Sequence, residues 1–286
     1  MTSGKTYAGQ DGAVSEPLSA TLAWAAEVVR RPVRVVRPLP GGTHATTLLL
    51  ATEDTATEDP TREEMVLRQY PPGDDAPTRE ATVLTALDGL DGWAPRLLAV
   101  APDRGLTLIT RLRGTADIMP ADPRHAAREL ARGLARIHAT TPPELRDGMR
   151  TLSRTEAPHL AAAEHVLTHF DYWSGNVLWD GPTLTGIVDW SGASTAPRGL
   201  DVAWCRLDLV LLHGVEVADV FHEAYEHAAA TRVPDPRQWD LFALDSSRDR
   251  IETWEPNYTS LGRTDLTGAE LRARHTRWGE RLAAFR

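Results

Sequence analysis

The sequence predicts an α+β fold with two lobes, a small β-rich N-terminal lobe and a larger, mainly helical C-terminal lobe. Residues 33–112 contain five short strand patterns, with one helical pattern inserted after the third. A polar stretch at 110–114 follows, and beyond Gly114 most of the hydrophobic periodicity is helical. With 286 residues, of which 42% are hydrophobic, the chain is long enough to build a core in both lobes.

The N-terminal lobe, predicted to span 1–112, opens with a helical pattern over 15–31, with Ser15 as N-cap and Pro17 in the first turn. The inserted helix is predicted from TREATVLTALDGL (78–90). The strand patterns are rich in β-branched and apolar residues bounded by turn formers. They lie at 33–52 (two strands joined by a Gly-Gly turn), at 64–70, and at 96–112 (two strands joined by a PDRG turn).

The C-terminal lobe, predicted to span 113–286, contains a strong helical pattern at 122–143 that stops at a proline pair. His138 ends the apolar face of this helix and is predicted to be a core or capping residue. From residue 200 onward the pattern is mainly helical, with an interruption near RVPDP (232–236).

Composition excludes several classes of function. The formal net charge of −9 argues against a general nucleic-acid-binding protein, which needs a basic face for phosphates. A single cysteine, Cys205, excludes an intramolecular disulfide and a cysteine-rich zinc site, as expected in the reducing cytoplasm. No apolar run approaches the ~18 residues of a membrane span, and the N-terminus has no apolar signal region, so we expect a cytoplasmic protein without a membrane partner.

Four polar residues stand out in HFDYWSGNVLWD (169–180) and GIVDW (186–190). They are His169, Asp171, Asn176 and Asp189, at the edge of what reads as a short hairpin. Such residues either form a polar turn with incidental acids or build a site. A carboxylate that accepts a proton, next to an amide and a second carboxylate that hold a magnesium ion, would suit phosphoryl transfer.

The spacing H-x-D-x-x-x-x-N, followed by a strand and IVDW, resembles the aminoglycoside phosphotransferase (APH) family of small-molecule kinases. The resemblance covers nearly the whole chain in order. It implies a bilobal, protein-kinase-like fold. It also implies Mg²⁺-dependent transfer of a phosphoryl group from ATP, with GTP as an alternative donor. One departure is Phe170, because the family commonly has glycine after the histidine.

The resemblance also assigns roles within the motif. It implies that Asp171 is the catalytic base that orients the acceptor hydroxyl, and that Asn176 and Asp189 are magnesium ligands. His169 would be a structural member of the loop rather than a base. Asp201, in APRGLDVAW (196–204), would support the loop from a helix start, and a plain N-cap is the alternative for it.

On the nucleotide side, the sequence predicts a turn at Gly41, Gly42 and Thr43, whose backbone N–H groups could approach phosphates without a Cβ in the way. Alone, such a pair is an ordinary hairpin turn. The resemblance places a cation for the phosphates at Arg68 on the third strand, paired with Glu80 on the inserted helix. Arginine stands where the family usually has lysine, and it keeps the charge while changing the geometry.

The adenine ring is expected at the end of the fifth strand, in LTLITRLRG (106–114). By resemblance it would bond to the backbone around Arg111 and Leu112. These complete the predicted nucleotide-binding residues.

The acceptor is expected to be a small hydroxylated molecule bound by the C-terminal lobe. The first candidate for the acceptor is an antibiotic such as an aminoglycoside. The next candidates are a sugar, an amino alcohol or a nucleoside-type metabolite. Acids in 239–258 either contact cationic amines or form a solvated face. The predicted acceptor residues are Asp245, Asp249, Glu252, Trp254 and Glu255. A catalytically idle, kinase-like binding module is the alternative function, and the joint presence of Asp171, Asn176 and Asp189 argues against it.

Overall fold

A computed structural model of the chain describes residues 17–39, 44–53, 63–151, 160 and 162–284. It confirms the predicted α+β class, with an antiparallel sheet in the N-terminal part and a mainly helical C-terminal part. No helix among the described residues is long and apolar enough to cross a membrane.

The N-terminal part contains one five-stranded antiparallel sheet with the strand order β1-β2-β3-β5-β4. All five predicted strands are present, and the inserted helix follows the third as predicted. The elements are α1 (Leu18–Val29), β1 (Val33–Pro38), β2 (Thr46–Thr52), β3 (Glu64–Gln69), α2 (Ala76–Leu87), β4 (Leu97–Ala101) and β5 (Leu106–Thr110).

Alternation along β3 separates its core residues from its polar residues. Met65 and Leu67 are buried in an apolar cluster that α1 covers. Since successive strand residues point to opposite faces, Arg68 points to the other face, toward α2. Arg68 is in register with Thr107 of β5, so these two polar residues share that face.

The two helix starts in this part differ from the prediction. Helix α1 begins at Leu18 after Pro17, whose carbonyl accepts hydrogen bonds from the backbone of Ala20 (3.0 Å) and Thr21 (3.2 Å). The proposed N-cap Ser15 lies outside the described residues. Helix α2 begins at Ala76 rather than 78, because a proline suits the first turn of a helix and starts it earlier.

The C-terminal part is built on helices with two small antiparallel sheets. Strand β6 pairs with the β8–β9 hairpin, and β7 pairs with β10. Neither β7 nor β10 was predicted, since four residues carry too little pattern. The elements are β6 (Thr115–Ala116), α3 (Pro123–Ala139), α4 (Gly148–Thr151), β7 (His165–Thr168), β8 (Val177–Asp180), β9 (Thr183–Ile187), β10 (Ser194–Pro197), α5 (Gly199–His213), α6 (Val215–Ala228), α7 (Pro236–Ser247), α8 (Glu255–Thr259) and α9 (Gly268–Ala284).

Helix α5 lies at the centre of the C-terminal part. It is buried on all sides, which is typical of a core helix. Its buried polar residues are paired: Arg206, for example, donates to Asp240 (3.0 Å) and to the carbonyl of Ala218 (2.9 Å). Two further polar residues of α5, Asp201 and Asp208, point toward the loop between β7 and β8. The core helix therefore positions that loop.

Candidate active site

The four polar motif residues meet around the loop 169–176 between β7 and β8, which we call the motif loop. His169 is fully buried, and its ring packs on Trp190 with centroids 4.5 Å apart. Its Nε2 lies 2.9 Å from the carbonyl oxygen of Val188, next to Asp189. A ring enclosed in this way is out of reach of a substrate proton.

Asp201 of α5 holds the start of the motif loop. Its carboxylate, which is fully buried, accepts hydrogen bonds from the backbone N–H of His169 (2.7 Å) and of Phe170 (2.9 Å). Nε2 of His138 lies 3.3 Å from the same carboxylate, and Nδ1 of His138 lies 2.6 Å from the hydroxyl of Tyr225. Burial lowers the pKa of His138. The predicted core histidine therefore belongs to the network that fixes Asp201.

Phe170 occupies a backbone conformation that favours glycine. Its φ is 70°, in the left-handed region, where a side chain costs roughly 1–2 kcal/mol. This accounts physically for glycine after the histidine as the common choice. In this chain the hydrogen bond to Asp201 and the burial of the Phe170 ring, 8% exposed, hold the conformation.

Asp171, Asn176 and Asp189 lie along one edge of the β8–β9 hairpin. The side-chain N–H of Asn176 donates to the carbonyl (2.9 Å) and to Oδ2 (3.2 Å) of Asp171. The backbone carbonyl of Asn176 accepts a hydrogen bond from Val188, the residue before Asp189 (2.9 Å). One amide side chain and one backbone hydrogen bond thus bring together residues that are 18 positions apart in the sequence (171 to 189).

Asp189 has φ 66°, a conformation that aspartate tolerates better than most residues. Its Oδ1 accepts hydrogen bonds from Arg68 (2.6 Å) and from Ser191 (2.9 Å). Burial alone would raise the pKa of Asp189, but the charge and hydrogen bond of Arg68 outweigh it and lower the pKa to about 2. Asp189 is therefore a carboxylate at any physiological pH.

Arg68 joins the two parts of the chain through its guanidinium group. One terminal nitrogen pairs with Glu80 of α2, and the other pairs with Asp189. Glu80 is fully buried and also accepts hydrogen bonds from Tyr70 and Thr107, both 2.8 Å long. Burial alone would lower the pKa of Arg68, but the two carboxylates raise it above its ordinary value. A planar fork suits this double contact better than a lysine ammonium does.

Arg68→Met should destabilise the protein strongly, because it leaves Glu80 and Asp189 without their cation. Breaking a buried ion pair costs about 3–5 kcal/mol. The matched control is Arg96→Met, which removes an exposed pair with Asp88 and should cost no more than about 1 kcal/mol. Chemical unfolding of the two variants beside wild type measures the difference. Equal losses in the two variants would contradict the structural role of Arg68.

The contact between Arg68 and Asp189 should also be visible in the pH dependence of stability. A carboxylate whose pKa falls from 3.8 to about 2 on folding adds stability above pH 3.8, and this stability is lost as pH falls toward 2. The part of the wild-type advantage over Arg68→Met that comes from Asp189 should therefore be lost as the pH falls from about 4 to about 2. Unfolding titrations at several pH values measure this, and a constant difference between the two proteins would contradict it.

The donor set along this edge fits a magnesium ion. Within the described part of the chain, Oδ2 of Asp189 accepts no hydrogen bond, and the amide of Asn176 uses its nitrogen toward Asp171. The amide oxygen of Asn176 is therefore the atom left for a ligand. Magnesium takes one or two protein oxygens together with phosphate oxygens and water, so this pair suffices without a cluster of carboxylates. No cluster of three His, Cys, Asp or Glu with metal-ligand geometry occurs among the described residues.

The remaining predicted nucleotide residues have different surroundings. Gly41, Gly42 and Thr43 lie outside the described residues. Arg111 follows β5, and its side chain pairs with Glu64 at the start of β3. Leu112 packs on Gly186 of β9, where a Cβ would collide with the leucine side chain. The end of β5 therefore contacts the hairpin that precedes Asp189.

Three of the predicted acceptor acids are engaged in local structure. Asp245 pairs with Arg248 (2.7 Å), and Glu252 pairs with Arg272 (2.5 Å). Glu255 accepts a hydrogen bond from the backbone N–H of Gly268 at the start of α9 (2.6 Å).

The other two predicted acceptor residues differ from these acids. Asp249 is exposed. Trp254 is half-buried, and its ring centroid lies 6.1 Å from that of Trp204 on α5. Three of the four predicted acceptor acids thus have partners within the protein, and Trp254 is the partly exposed aromatic residue of the predicted set.

A sequence profile of the phosphotransferase enzyme family (APH) matches residues 35–165 and 141–242, well over half of the chain. The chain belongs to the phosphotransferase enzyme family. It is therefore a small-molecule phosphotransferase, as the resemblance to the APH family implied. No curated protein sequence matches this phosphotransferase.

Solved structures similar to this phosphotransferase have the same fold. Choline kinase LicA from Streptococcus pneumoniae superposes with a TM-score of 0.62 at 15% identity, covering 93% of this chain and 99% of its own. Macrolide 2′-phosphotransferase MphH from Brachybacterium faecium gives 0.61 at 17% identity, covering 90% and 97%. A ternary complex of streptomycin, ATP and APH(2″)-IIa gives 0.57 at 13% identity, covering 82% and 90%. The protein-kinase-like fold predicted from the resemblance is thereby confirmed.

Sequence reasoning missed several residues that shape the site of this phosphotransferase. Tyr70 lies two positions after Arg68 on β3, on the same strand face, so alternation could have indicated it. Arg79 precedes Glu80, and its Nε donates to the carbonyl of Ser191 (2.6 Å), a second contact between α2 and the segment after Asp189. Asp208, seven positions after Asp201 on α5, gave no local signal.

Proposed function

We propose that this phosphotransferase moves the γ-phosphoryl group of ATP to a hydroxyl of a small polar molecule in a Mg²⁺-dependent reaction. The observation that carries the proposal is the joint position of Asp171, Asn176 and Asp189 along one edge of the β8–β9 hairpin, with Arg68 of β3 bonded to Asp189. Phosphoryl transfer needs little covalent chemistry from a protein, and such an arrangement provides positioning and electrostatic stabilisation.

Asp171 is the catalytic residue of this proposal. Its carboxylate is held from one side by the amide of Asn176 and can accept the proton of the acceptor hydroxyl as the oxygen attacks phosphorus. Asn176 and Asp189 would hold magnesium, which when bound neutralises charge on the phosphate oxygens. His169 and Asp201 act through the motif loop, since both are buried.

Residues 1–112 would bind the nucleotide, and 113–286 would provide the catalytic groups and the acceptor site. Arg68 supplies positive charge next to Asp189, and Glu80 keeps its guanidinium oriented. The backbone around Gly41, Gly42 and Thr43 would cover the phosphates, and the backbone at Arg111 and Leu112 would bond to the adenine. GTP is the alternative donor.

We place the acceptor among hydroxylated antibiotics first. The similar structures include a macrolide phosphotransferase and a streptomycin complex of an aminoglycoside phosphotransferase, which support this choice. A choline kinase among them supports an amino alcohol as the second choice. The pairing of Asp245, Glu252 and Glu255 with groups of the protein does not support a polycationic acceptor bound by these acids. Residues Asp249 and Trp254 stay candidates for acceptor contact. A cytoplasmic location is proposed from the single, buried Cys205.

An assay of ADP release tests the proposed function. The purified protein is incubated with Mg-ATP or Mg-GTP and a panel of macrolides, aminoglycosides, sugars and amino alcohols, with Asp171→Ala as the blank. We expect ADP release that depends on one class of acceptor, requires magnesium and disappears in the variant. Nucleotide binding without turnover for any acceptor would favour the idle binding module instead.

A further inference from the structure

Asp208 on α5 contacts the motif loop at a point that the sequence motif does not mark. Its Oδ2 accepts hydrogen bonds from the backbone N–H (3.1 Å) and the hydroxyl (2.7 Å) of Ser174, midway between Asp171 and Asn176. Its Oδ1 accepts a hydrogen bond from the hydroxyl of Tyr258 on α8 (3.1 Å). The carboxylate is only 3% exposed. Asp208 therefore links the motif loop to the segment that precedes α9.

Aromatic contacts next to Asp208 connect α5 and the motif loop with the predicted acceptor segment, residues 239–258. The ring of Tyr258 meets the ring of Trp173 edge to face, with centroids 5.8 Å apart. One helical turn before Asp208, Trp204 meets Trp254. Since residues four apart share a helix face, α5 presents Trp204 and Asp208 side by side to the 254–258 segment.

An ionised carboxylate at this position is unfavourable by itself. Burial is the largest effect and raises the pKa of Asp208 to about 6. The hydrogen bonds from Ser174 and Tyr258 lower the pKa, and the nearby charge of Asp171 raises it further. The other titratable or charged groups around it are Cys205 on its own helix and Arg263 in the segment after α8. Asparagine could fill the same space, accept from Ser174 with its oxygen and donate to Tyr258 with its nitrogen. Because the ionised carboxylate is less favourable here than asparagine would be, we expect it to have a function that asparagine could not perform.

We propose that Asp208 is a positioning residue, whose ionised carboxylate fixes the motif loop at Ser174 and so holds Asp171 in place for the acceptor hydroxyl. Hydrogen bonds from an N–H and an O–H to a charged acceptor are shorter and stronger than those to a neutral one. They restrain the loop three residues after Asp171. This inference rests on the proposed role of Asp171 in phosphoryl transfer.

Asp208→Asn tests the proposal with two independent readouts. The neutral side chain should lower kcat by about 10- to 100-fold, because a small displacement of a reacting group has effects of this size. The KM for ATP should change little, since within the described part of the chain the hydrogen bonds of Asp208 go to Ser174 and Tyr258 and not to the predicted nucleotide residues. At the same time the variant should unfold at a higher temperature than wild type at pH 8, by about 3–6 °C.

The sign of the stability effect follows from the raised pKa. A carboxyl group whose pKa is about 6 in the folded protein and near 3.8 in the unfolded chain lowers stability in full above pH 6. The penalty shrinks as pH falls from 6 to 3.8. The Tm advantage of Asp208→Asn should therefore be largest at pH 8 and should shrink at pH 5.

Asp240→Asn is the matched control. Asp240 is equally buried, and burial raises its pKa too, but its partner is Arg206 and it does not contact the motif loop. Asn at this position would leave the guanidinium of Arg206 without its buried carboxylate partner, so this variant, unlike Asp208→Asn, should lose thermal stability. It should keep the wild-type kcat below its unfolding temperature. Ser174→Ala and Tyr258→Phe each remove one side-chain hydrogen bond to Asp208 and should lower kcat less than Asp208→Asn does.

Two outcomes would overturn the proposal while leaving the proposed function intact. One is an Asp208→Asn variant with wild-type kcat. The other is a variant that loses kcat and Tm together at pH 8, because that would make Asp208 an ordinary structural residue. A wild-type protein that releases no ADP with any acceptor would overturn both the inference and the proposed function.

Discussion

Asp171→Asn is expected to lower kcat by about 10²- to 10⁴-fold, the usual contribution of a positioned general base. Asparagine keeps the shape of the side chain and can still contact the amide of Asn176, so the fold should survive. Nucleotide affinity should stay within about twofold, because Asp171 is proposed to act on the acceptor and not on the nucleotide. Steady-state kinetics and calorimetric titration with ADP measure the two quantities.

Asp180→Asn is the control for this variant. Asp180 is exposed at the end of β8, the strand that follows the motif loop. Its substitution by asparagine should leave kcat unchanged. An Asp171→Asn variant as active as Asp180→Asn would remove Asp171 from the mechanism. A variant that loses nucleotide affinity as strongly as kcat would instead assign Asp171 to the nucleotide site.

Asp189→Asn is the second change with a large expected effect. It removes the carboxylate proposed to hold magnesium and one of the two partners of Arg68. Because an amide oxygen is a weaker ligand for a hard cation, kcat should fall by about 100-fold or more at a fixed magnesium concentration. The affinity for ADP, measured by calorimetry, should also lose its dependence on magnesium.

Asp103→Asn is a suitable control, since Asp103 is exposed in the turn between β4 and β5. If Asp189→Asn binds ADP with the magnesium dependence of wild type, Asp189 is not a metal ligand. Unfolding of Asp189→Asn in the absence of nucleotide measures the contact with Arg68 separately. Loss of that contact lowers the stability of the nucleotide-free protein, whereas loss of a metal ligand does not.

The order of elements in the N-terminal lobe could be predicted because each strand there has a local pattern. Alternation and turn residues at 33–52, 64–70 and 96–112 identified all five strands, and helical spacing identified α2. Strands β7 and β10 could not be predicted, because each has four residues and is defined by its partner. Helix α1 begins at Leu18 after Pro17, and the proposed cap Ser15 lies outside the described residues.

The residues of the motif could be predicted because their spacing is local. Asp171 and Asn176 are five positions apart, and one loop brings them together. The contact of Arg68 with Asp189 spans 121 positions and depends on how the two lobes meet. Such a contact leaves no trace in the pattern of either segment. Two partners of Glu80, Tyr70 and Thr107, could be predicted once the sheet order is known. Strand alternation places Tyr70 on the face of Arg68, and the register pairs Arg68 with Thr107.

Charges on the acceptor side could not be interpreted from the sequence alone. In the sequence Asp245, Glu252 and Glu255 look like free acids. In the structure Asp245 pairs with Arg248 just after α7, Glu252 pairs with Arg272 of α9, and Glu255 accepts a hydrogen bond at the start of α9. Asp208 reads as one more helix residue, yet it lies buried against the motif loop. Pairing between distant elements decides whether a charge serves a ligand or the fold.

Transfer of labelled phosphate is the measurement that tests the central claim most directly. The protein is incubated with ATP labelled in the γ-phosphoryl group and with each acceptor that stimulates ADP release, and the products are separated and analysed by mass spectrometry. We predict that the label appears on a hydroxyl of the acceptor in equal amount to ADP, and that Asp171→Asn abolishes both. Label found only in inorganic phosphate, with every acceptor unmodified, would contradict phosphoryl transfer to a small molecule.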